Sequence, residues 1–146
     1  MNMKNNLEKV IITGGAGFIG SNLVKKLLEN GTEQILIIDD LSTGKLNNLN
    51  NFSENENIKF IKKRVEDIEN LSETFNGFDF CFHLAAGVGV QYIMENVSKA
   101  LLTNIEGTHI VIEACKQNDI PVLITSTSEV YGVSEDPIWT EETKSL

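Results

Sequence analysis

The stretch "ITGGAGFIGSNL", from Ile12 to Leu23, decides the fold of this 146-residue chain. An apolar, β-branched run, "KVIITG", leads into it, and such a run predicts a buried strand. Glycines follow at Gly14, Gly17 and Gly20, where the strand passes into a helix. The first permits a tight turn, the second lets a pyrophosphate approach the backbone, and the third lets the helix pack closely. Because the N–H groups at the helix start then face the phosphates, we interpret this as a dinucleotide-binding turn.

An acidic residue ends the next predicted strand, "QILIID". Asp39 stands 25 residues after Gly14, close to the usual spacing for a carboxylate that accepts hydrogen bonds from the adenosine ribose. A carboxylate there repels a 2′-phosphate, so NAD is predicted rather than NADP. Asp40 either touches the cofactor or is only a turn residue.

Strand and helix patterns alternate along the rest of the chain. Further strands are predicted in "IKFIKK", "FDFCFHLAA" and "PVLITS", with a short helix at 69–75 and a long helix at 95–118. Strands separated by helices specify a parallel sheet that is covered on both faces. The predicted fold is a doubly wound, Rossmann-like α/β domain over residues 1–146.

Two segments that follow strands could line a cofactor. Asp67 and Ile68, in "VEDIEN", could flank an adenine, although Asp67 could equally cap the next helix. "HLAAGVGV" places small residues at the carboxyl end of a strand, where cofactors lie in this fold. His83 itself is interpreted as a packed histidine.

Composition excludes several classes of partner. A formal charge of -9 disfavours a nucleic-acid or anionic-membrane surface. No apolar run approaches the ~18 residues of a membrane span, and the first residues show no signal region. We therefore expect a soluble, cytoplasmic protein. Cys81 and Cys115 lie in apolar segments without partners at metal-ligand spacing, which predicts core packing rather than a metal or redox site.

The motifs together resemble the extended short-chain dehydrogenase/reductase family, in its nucleotide-sugar epimerase/dehydratase branch. The matching stretches are "TGGAGFIGSNLVKKLL", "DDLSTG", "DI", "HLAA", "TNIEGT" and "STSEVYG", in family order over essentially the whole chain. The resemblance implies NAD as cofactor, a nucleotide-sugar substrate, with UDP-sugars favoured, and transient oxidation of the sugar. A departure occurs at Val88, where some epimerases carry a lysine.

The resemblance also implies a set of cofactor contacts. Asn104 corresponds to an asparagine that helps to fix the active-site region. The contacts fall at the pyrophosphate (Phe18, Ile19), the adenosine ribose (Asp39, Asp40, Leu41, Ser42, Thr43, Gly44), the adenine (Asp67, Ile68) and the remaining cofactor wall (Leu84, Ala85, Ala86, Thr103).

The catalytic residues implied by the resemblance are only partly present. Thr127 matches a hydroxyl that hydrogen-bonds the sugar oxygen, but the family's base is a tyrosine with a lysine four residues later. Glu135 stands four residues after Tyr131, and Asn96 four after Tyr92, so neither tyrosine forms that pair. Tyr131 is therefore interpreted as structural. The Tyr-Lys helix and a C-terminal substrate-binding part are expected beyond residue 146, and the chain alone is expected to be inactive.

The residues beside Thr127 bear on the reaction of the parent protein. Dehydratases of the family carry an Asp-Glu pair there, whereas this chain has Ser128 and Glu129. The change favours a UDP-sugar 4-epimerase or a UDP-glucuronate decarboxylase. Glu129 either polarises a sugar hydroxyl or only caps or salt-bridges the strand end.

Two other functions compete with the enzyme hypothesis. One is a non-catalytic dinucleotide-binding or redox-sensing module. The other is a cofactor-independent interaction domain, which the retained glycines and Asp39 disfavour. The helix at 95–118 is expected to present an apolar stripe, which predicts self-association or a homodimer.

Overall fold

Five parallel strands form one sheet in the computed structural model, which describes residues 7–52, 55–87, 97–132 and 138–142. In space they follow the order β3-β2-β1-β4-β5. From β1 the chain extends the sheet in one direction through β2 to β3, and then returns to add β4 and β5 on the other side. The topological switch point therefore lies at the carboxyl ends of β1 and β4. The strands are β1 (Lys9–Thr13), β2 (Gln34–Ile38), β3 (Ile58–Ile61), β4 (Phe80–His83) and β5 (Val122–Ile124).

Helices and helical turns connect the strands. The predicted alternation is confirmed, but every strand is shorter than predicted, and β4 and β5 span only about half of their predicted segments. No helix within the described ranges is long and apolar enough to cross a membrane. The α-helices are α1 (Phe18–Glu29), α2 (Leu71–Phe75), α3 (Val97–Leu102) and α4 (Thr108–Gln117), and 3-10 turns span Leu46–Phe52, Val65–Asp67 and Ser128–Tyr131.

The long helix departs from its prediction in one respect. Between α3 and α4 lies a π-helical turn, Thr103–Gly107, so the expectation of one regular helix is wrong at this point. Positions 95 and 96 of the predicted helix lie outside the described residues. A π turn inserts an extra residue into the helical spiral, and such turns often occur at functional sites.

The core lies in two layers, one on each face of the sheet. Successive strand residues point to opposite faces, so Ile11 of β1 enters one layer and Ile12 enters the other. The first layer includes Phe75 of α2 and Val111 of α4, and the second includes Val24 of α1. Helices thus cover both faces, and the doubly wound α/β fold is confirmed.

Both cysteines are part of the core, as predicted. Cys81 of β4 and Cys115 of α4 are free, buried and packed in the first layer. The hydrogen bond with the Cys115 thiol, and then burial, raise the pKa of Cys81 above its ordinary value. A thiol held in its protonated form is a poor nucleophile, which agrees with a packing role.

Candidate functional site

The glycine turn joins β1 to α1 at the carboxyl edge of the sheet. Gly14 has a φ of +73°, and a Cβ on it would lie 2.7 Å from the backbone nitrogen of Ala85. A Cβ on Gly20 would lie 2.4 Å from the carbonyl oxygen of Gly14. Both positions therefore require glycine: Gly14 for the turn itself, and Gly20 for close packing of the helix on that turn.

The amino end of α1 is open to an anion. Gly17 is the N-cap residue, no side chain caps this end, and the first turn holds no acidic residue. A Cβ on Gly17 would meet only the Gly14 carbonyl oxygen, at 3.3 Å, and the Phe18 side chain beside it is 83% exposed. Ile19 is exposed as well. Unpaired N–H groups and the positive end of the helix dipole are thus free to receive a phosphate.

Asp39 lies against this turn, just beyond β2. It is only 8% exposed. Its Oδ2 accepts a hydrogen bond from the Ala16 N–H at 2.9 Å, and its Oδ1 accepts one from the Leu41 N–H at 2.8 Å. An ionised carboxylate has about four acceptor sites, so capacity remains for further donors such as ribose hydroxyls.

The loop that follows Asp39 folds back on itself. The Asp40 Oδ1 accepts a hydrogen bond from the Ser42 N–H at 2.9 Å, so Asp40 stabilises the turn at the start of this loop. Ser42 and Thr43 are exposed, and Gly44 is half-buried beside Asp39. The loop is therefore held in an ordered conformation beside the glycine turn.

The segment after β3 shows that Asp67 is not a helix cap. Asp67 ends the Val65–Asp67 turn and is exposed, while Ile68 is half-buried against the first core layer. The N-cap of α2 is Asn70, so the alternative that Asp67 caps this helix is wrong. The helix begins three residues too late for the Asp67 side chain to reach its first N–H groups.

The segment after β4 is held from two sides. The Ala85 N–H donates to the Thr13 Oγ1 at 3.2 Å. The Gly87 N–H donates to the Asn104 Oδ1 at 2.6 Å, and the Asn104 Nδ2 donates back to the Gly87 carbonyl at 3.3 Å. Asn104 of the π turn therefore fixes this segment, which also contains the half-buried Leu84 and the exposed Ala86. Thr103 begins the same π turn, and positions 88–96, with Val88 and Tyr92, lie outside the described residues.

His83 is a packed histidine, as predicted. It is 3% exposed, with Nδ1 2.7 Å from the Thr13 Oγ1 and Nε2 3.1 Å from the Thr108 Oγ1. Burial lowers its pKa from 6.5 to about 4. A neutral ring with both nitrogens engaged by hydroxyls links β1, β4 and α4.

The segment after β5 carries the implied catalytic hydroxyl. Thr127 is exposed, and its Oγ1 accepts from the Glu129 N–H at 3.3 Å, capping the short turn that follows. The cap thus belongs to Thr127, and the Glu129 side chain is exposed. The Tyr131 ring stacks on Trp139, with centroids 5.6 Å apart at 30°, which supports a structural role for this phenol.

Two residues that contribute to this region were not predicted from the sequence. Thr13 accepts a hydrogen bond from the Ala85 N–H and contacts His83. It could have been predicted, because a hydroxyl inside a buried apolar strand needs a hydrogen-bond partner. Asn48 donates from Nδ2 to the Ala16 carbonyl at 2.8 Å, and nothing distinguishes it within an asparagine-rich loop. In the described part of the chain, no three His, Cys, Asp or Glu side chains are grouped so that they could hold a metal ion.

Comparison with known proteins places the chain in a family. Residues 11–145 match the family model described as GDP-mannose 4,6 dehydratase. A UDP-N-acetyl-alpha-D-glucosaminuronate decarboxylase from Bacillus cytotoxicus is 36% identical over 130 residues, which are 89% of this chain and 40% of that protein. The chain therefore spans about two-fifths of the length of this relative.

Solved structures agree with that match. The UDP-N-acetylglucosamine 4-epimerase from Methanobrevibacter ruminantium M1 superposes with a TM-score of 0.83 at 36% identity, over 95% of this chain and 44% of that one. The dTDP-glucose 4,6-dehydratase from Streptomyces venezuelae, crystallised with NAD, superposes with a TM-score of 0.85 at 28% identity, over 94% and 45%. Both are of the nucleotide-sugar epimerase and dehydratase kind.

Proposed function

This chain belongs to the family described as GDP-mannose 4,6 dehydratase, within the extended short-chain dehydrogenase/reductases, and we propose that it is the NAD-binding domain of a nucleotide-sugar enzyme. The observation that carries the proposal is the uncapped amino end of α1 at Gly17, beside the buried carboxylate of Asp39. Together they offer N–H donors for a pyrophosphate and an acceptor for a ribose at the switch point of the sheet.

The remaining contacts are proposed along the same edge. Leu41 to Gly44 would form the ribose wall, and Asp67 with Ile68 would flank the adenine. The segment from Leu84 to Ala86, together with Thr103, would line the rest of the cofactor. The buried carboxylate favours NAD over NADP because a 2′-phosphate would face a like charge.

The proposed reaction is transient oxidation of a UDP-sugar, followed by 4-epimerisation or decarboxylation. Bound NAD⁺ would supply the hydride acceptor. Thr127 is proposed to hydrogen-bond the sugar oxygen, since its hydroxyl stands exposed after β5. Glu129 could polarise a neighbouring hydroxyl from the same turn. The tyrosine-lysine pair would come from a part of the parent protein outside residues 1–146, which form the cofactor domain in this proposal.

Calorimetric titration of the chain with NAD⁺ and NADP⁺ tests the cofactor site. We expect NAD⁺ to bind and NADP⁺ to bind much more weakly. Asp39→Asn should weaken NAD⁺ binding by roughly tenfold to a hundredfold, because a hydrogen bond to a charged acceptor contributes about 1.5–3 kcal/mol. Glu33→Gln is the control: this exposed acidic residue precedes β2 at the opposite edge of the sheet, so the variant should bind as the wild type does. Failure of the wild type to bind either nucleotide would reject the proposal.

Turnover of the parent protein separates an enzyme from a non-catalytic module. Both would bind NAD⁺, but only an enzyme would convert a UDP-sugar. Thr127→Ala should then lower kcat while leaving the affinity for NAD⁺ unchanged. A parent protein that binds NAD⁺ and converts no UDP-sugar would favour the sensing or binding module.

We also propose a homodimer through the face formed by α3 and α4. Val97, Leu101, Ile105 and Ile112 are all exposed along α3, the π turn and α4, and a run of exposed large aliphatic side chains is typical of an interaction surface. Light scattering should show self-association, and Leu101→Glu should reduce it. A monomer at millimolar concentration would contradict this assembly. The cytoplasmic location stays a prediction from the sequence.

A further inference from the structure

Ala16, in the middle of the glycine turn, is held on both sides by the segment that follows β2. Its N–H donates to the Asp39 Oδ2 at 2.9 Å. Its carbonyl accepts from the Lys45 N–H at 3.1 Å and from the Asn48 Nδ2 at 2.8 Å. Ala16 is fully buried, and its one N–H donor and its carbonyl acceptor are both satisfied by residues 23 to 32 positions further along the chain.

The loop approaches the turn as closely as backbone allows. A Cβ on Gly44 would lie 2.9 Å and 3.0 Å from the two carboxylate oxygens of Asp39, and 3.1 Å from the carbonyl carbon of Ala16. Leu41, at the start of the loop, has a φ of +61°, a strained conformation for a leucine. A strained, close-packed loop keeps its shape only where the surrounding contacts hold it.

Asn48 is the side chain that closes this arrangement from the far end of the loop. Its backbone N–H donates to the Lys45 carbonyl at 2.9 Å, and the next residue, Leu49, is buried in the second core layer, to which Ala16 also belongs. These two contacts fix the backbone at position 48. Asn48 as a whole is exposed, but its carboxamide is held on the turn by the partly buried hydrogen bond to the Ala16 carbonyl.

We propose that Asn48 is a positioning residue for the cofactor site, acting through Ala16. By holding the loop from Leu41 to Gly44 on the glycine turn, it fixes the Asp39 carboxylate relative to the amino end of α1. Both the affinity for NAD⁺ and the discrimination against NADP⁺ then depend on Asn48. The inference rests on the proposed function, because it assigns Asn48 a part in that same site.

Two substitutions test the role, with the neighbouring Asn47 as control. Asn48→Ala removes one hydrogen bond to Ala16 and should weaken NAD⁺ binding about fivefold. Asn48→Asp places a carboxylate against the Ala16 carbonyl and should weaken it more than tenfold. Asn47→Ala and Asn47→Asp should leave both the affinity and the discrimination unchanged.

A second readout distinguishes positioning from general destabilisation. A loosened loop should lower the affinity for AMP by the same factor as for NAD⁺, and should narrow the ratio of the NADP⁺ and NAD⁺ dissociation constants for Asn48→Ala. Loss of stability alone would lower the melting temperature and leave that ratio as it is. In the free protein, the Lys45 amide should exchange its hydrogen about fivefold faster in Asn48→Ala.

The outcomes separate the two proposals. Wild-type binding with unchanged affinity and ratio in both Asn48 variants overturns the positioning role and leaves the cofactor site standing. Equal losses in the Asn47 variants would also overturn it. A wild type that binds neither nucleotide rejects the cofactor site itself, and the positioning role with it.

Discussion

Acidification should destabilise this domain because the buried imidazole ring of His83 resists protonation in the folded state. His83 is 3% exposed, and its two nitrogens lie 2.7 Å and 3.1 Å from the hydroxyls of Thr13 and Thr108. Because the Thr13 Oγ1 already accepts from the Ala85 N–H, its proton is free to be donated to Nδ1. The neutral ring then carries its own proton on Nε2 and donates it to Thr108. A second ring proton, on Nδ1, would break this chain of hydrogen bonds at a residue that is almost fully buried.

The size of the effect follows from the pKa of His83. Burial lowers it from 6.5 to about 4, so the unfolded chain takes up this proton between pH 6.5 and pH 4 while the folded protein does not. The contribution of the neutral His83 ring to the free energy of unfolding is therefore fully present above pH 6.5 and is lost as the pH falls towards 4. At about 1.4 kcal/mol per pKa unit, the loss is about 3 kcal/mol. That is a large part of the roughly 5–15 kcal/mol that stabilises an ordinary domain.

Urea unfolding between pH 7 and pH 4 measures this loss. Wild type and His83→Asn share all their carboxylates, so the difference between their free energies of unfolding isolates the ring. That difference should shrink by about 3 kcal/mol from pH 7 to pH 4. His109→Asn, which removes the exposed histidine, is the control and should follow the wild type.

Either of two results would refute the reasoning. One is an identical pH dependence for wild type and His83→Asn. The other is an NMR titration of the ring in the folded wild type with a midpoint near 6.5. The second measurement needs no variant, so it stands even where His83→Asn fails to fold.

Two further predictions concern stability. Gly20→Ala should cost about 3 kcal/mol or more in urea unfolding, because its Cβ would lie 2.4 Å from the Gly14 carbonyl oxygen; a loss below about 1 kcal/mol would show that the turn yields. Asn118→Ala should cost about 1–3 kcal/mol, because the Asn118 Nδ2 donates to the Ser72 carbonyl and so ties α2 to α4. Gln117→Ala, at the exposed neighbour, should change the free energy of unfolding by less than about 0.5 kcal/mol, and an equal loss there would remove the explanation.

Much of the fold could be predicted from local pattern. Continuous β-branched runs indicate strands buried on both faces, and the spacing of Gly14, Gly17 and Gly20 indicates the turn between them. The position of Asp39 after β2 is likewise a matter of counting along the chain. These signals are short in range, since each depends on the conformation of a few consecutive residues.

Other predictions failed where distant residues decide. The predicted helix at 95–118 contains one glycine, Gly107, and no proline. Its π turn occurs where Asn104 hydrogen-bonds Gly87 and where a Cβ on Gly107 would lie 3.3 Å from a Val65 side-chain carbon. The π turn thus depends on contacts between elements far apart along the chain. Asp67 does not cap α2, because that helix begins at Leu71 and its N-cap is Asn70.

The sequence by itself therefore determined the class of fold, the phosphate-binding turn and the acidic residue that follows it. Only the tertiary structure decided the strand order, the satisfaction of Asp39 by backbone N–H groups, and the bond from Asn48 to Ala16. The physical reason is that a glycine turn is specified by its own φ angle and steric contacts. A carboxylate or carboxamide, by contrast, acquires its role from whichever donor or acceptor the folded chain brings beside it.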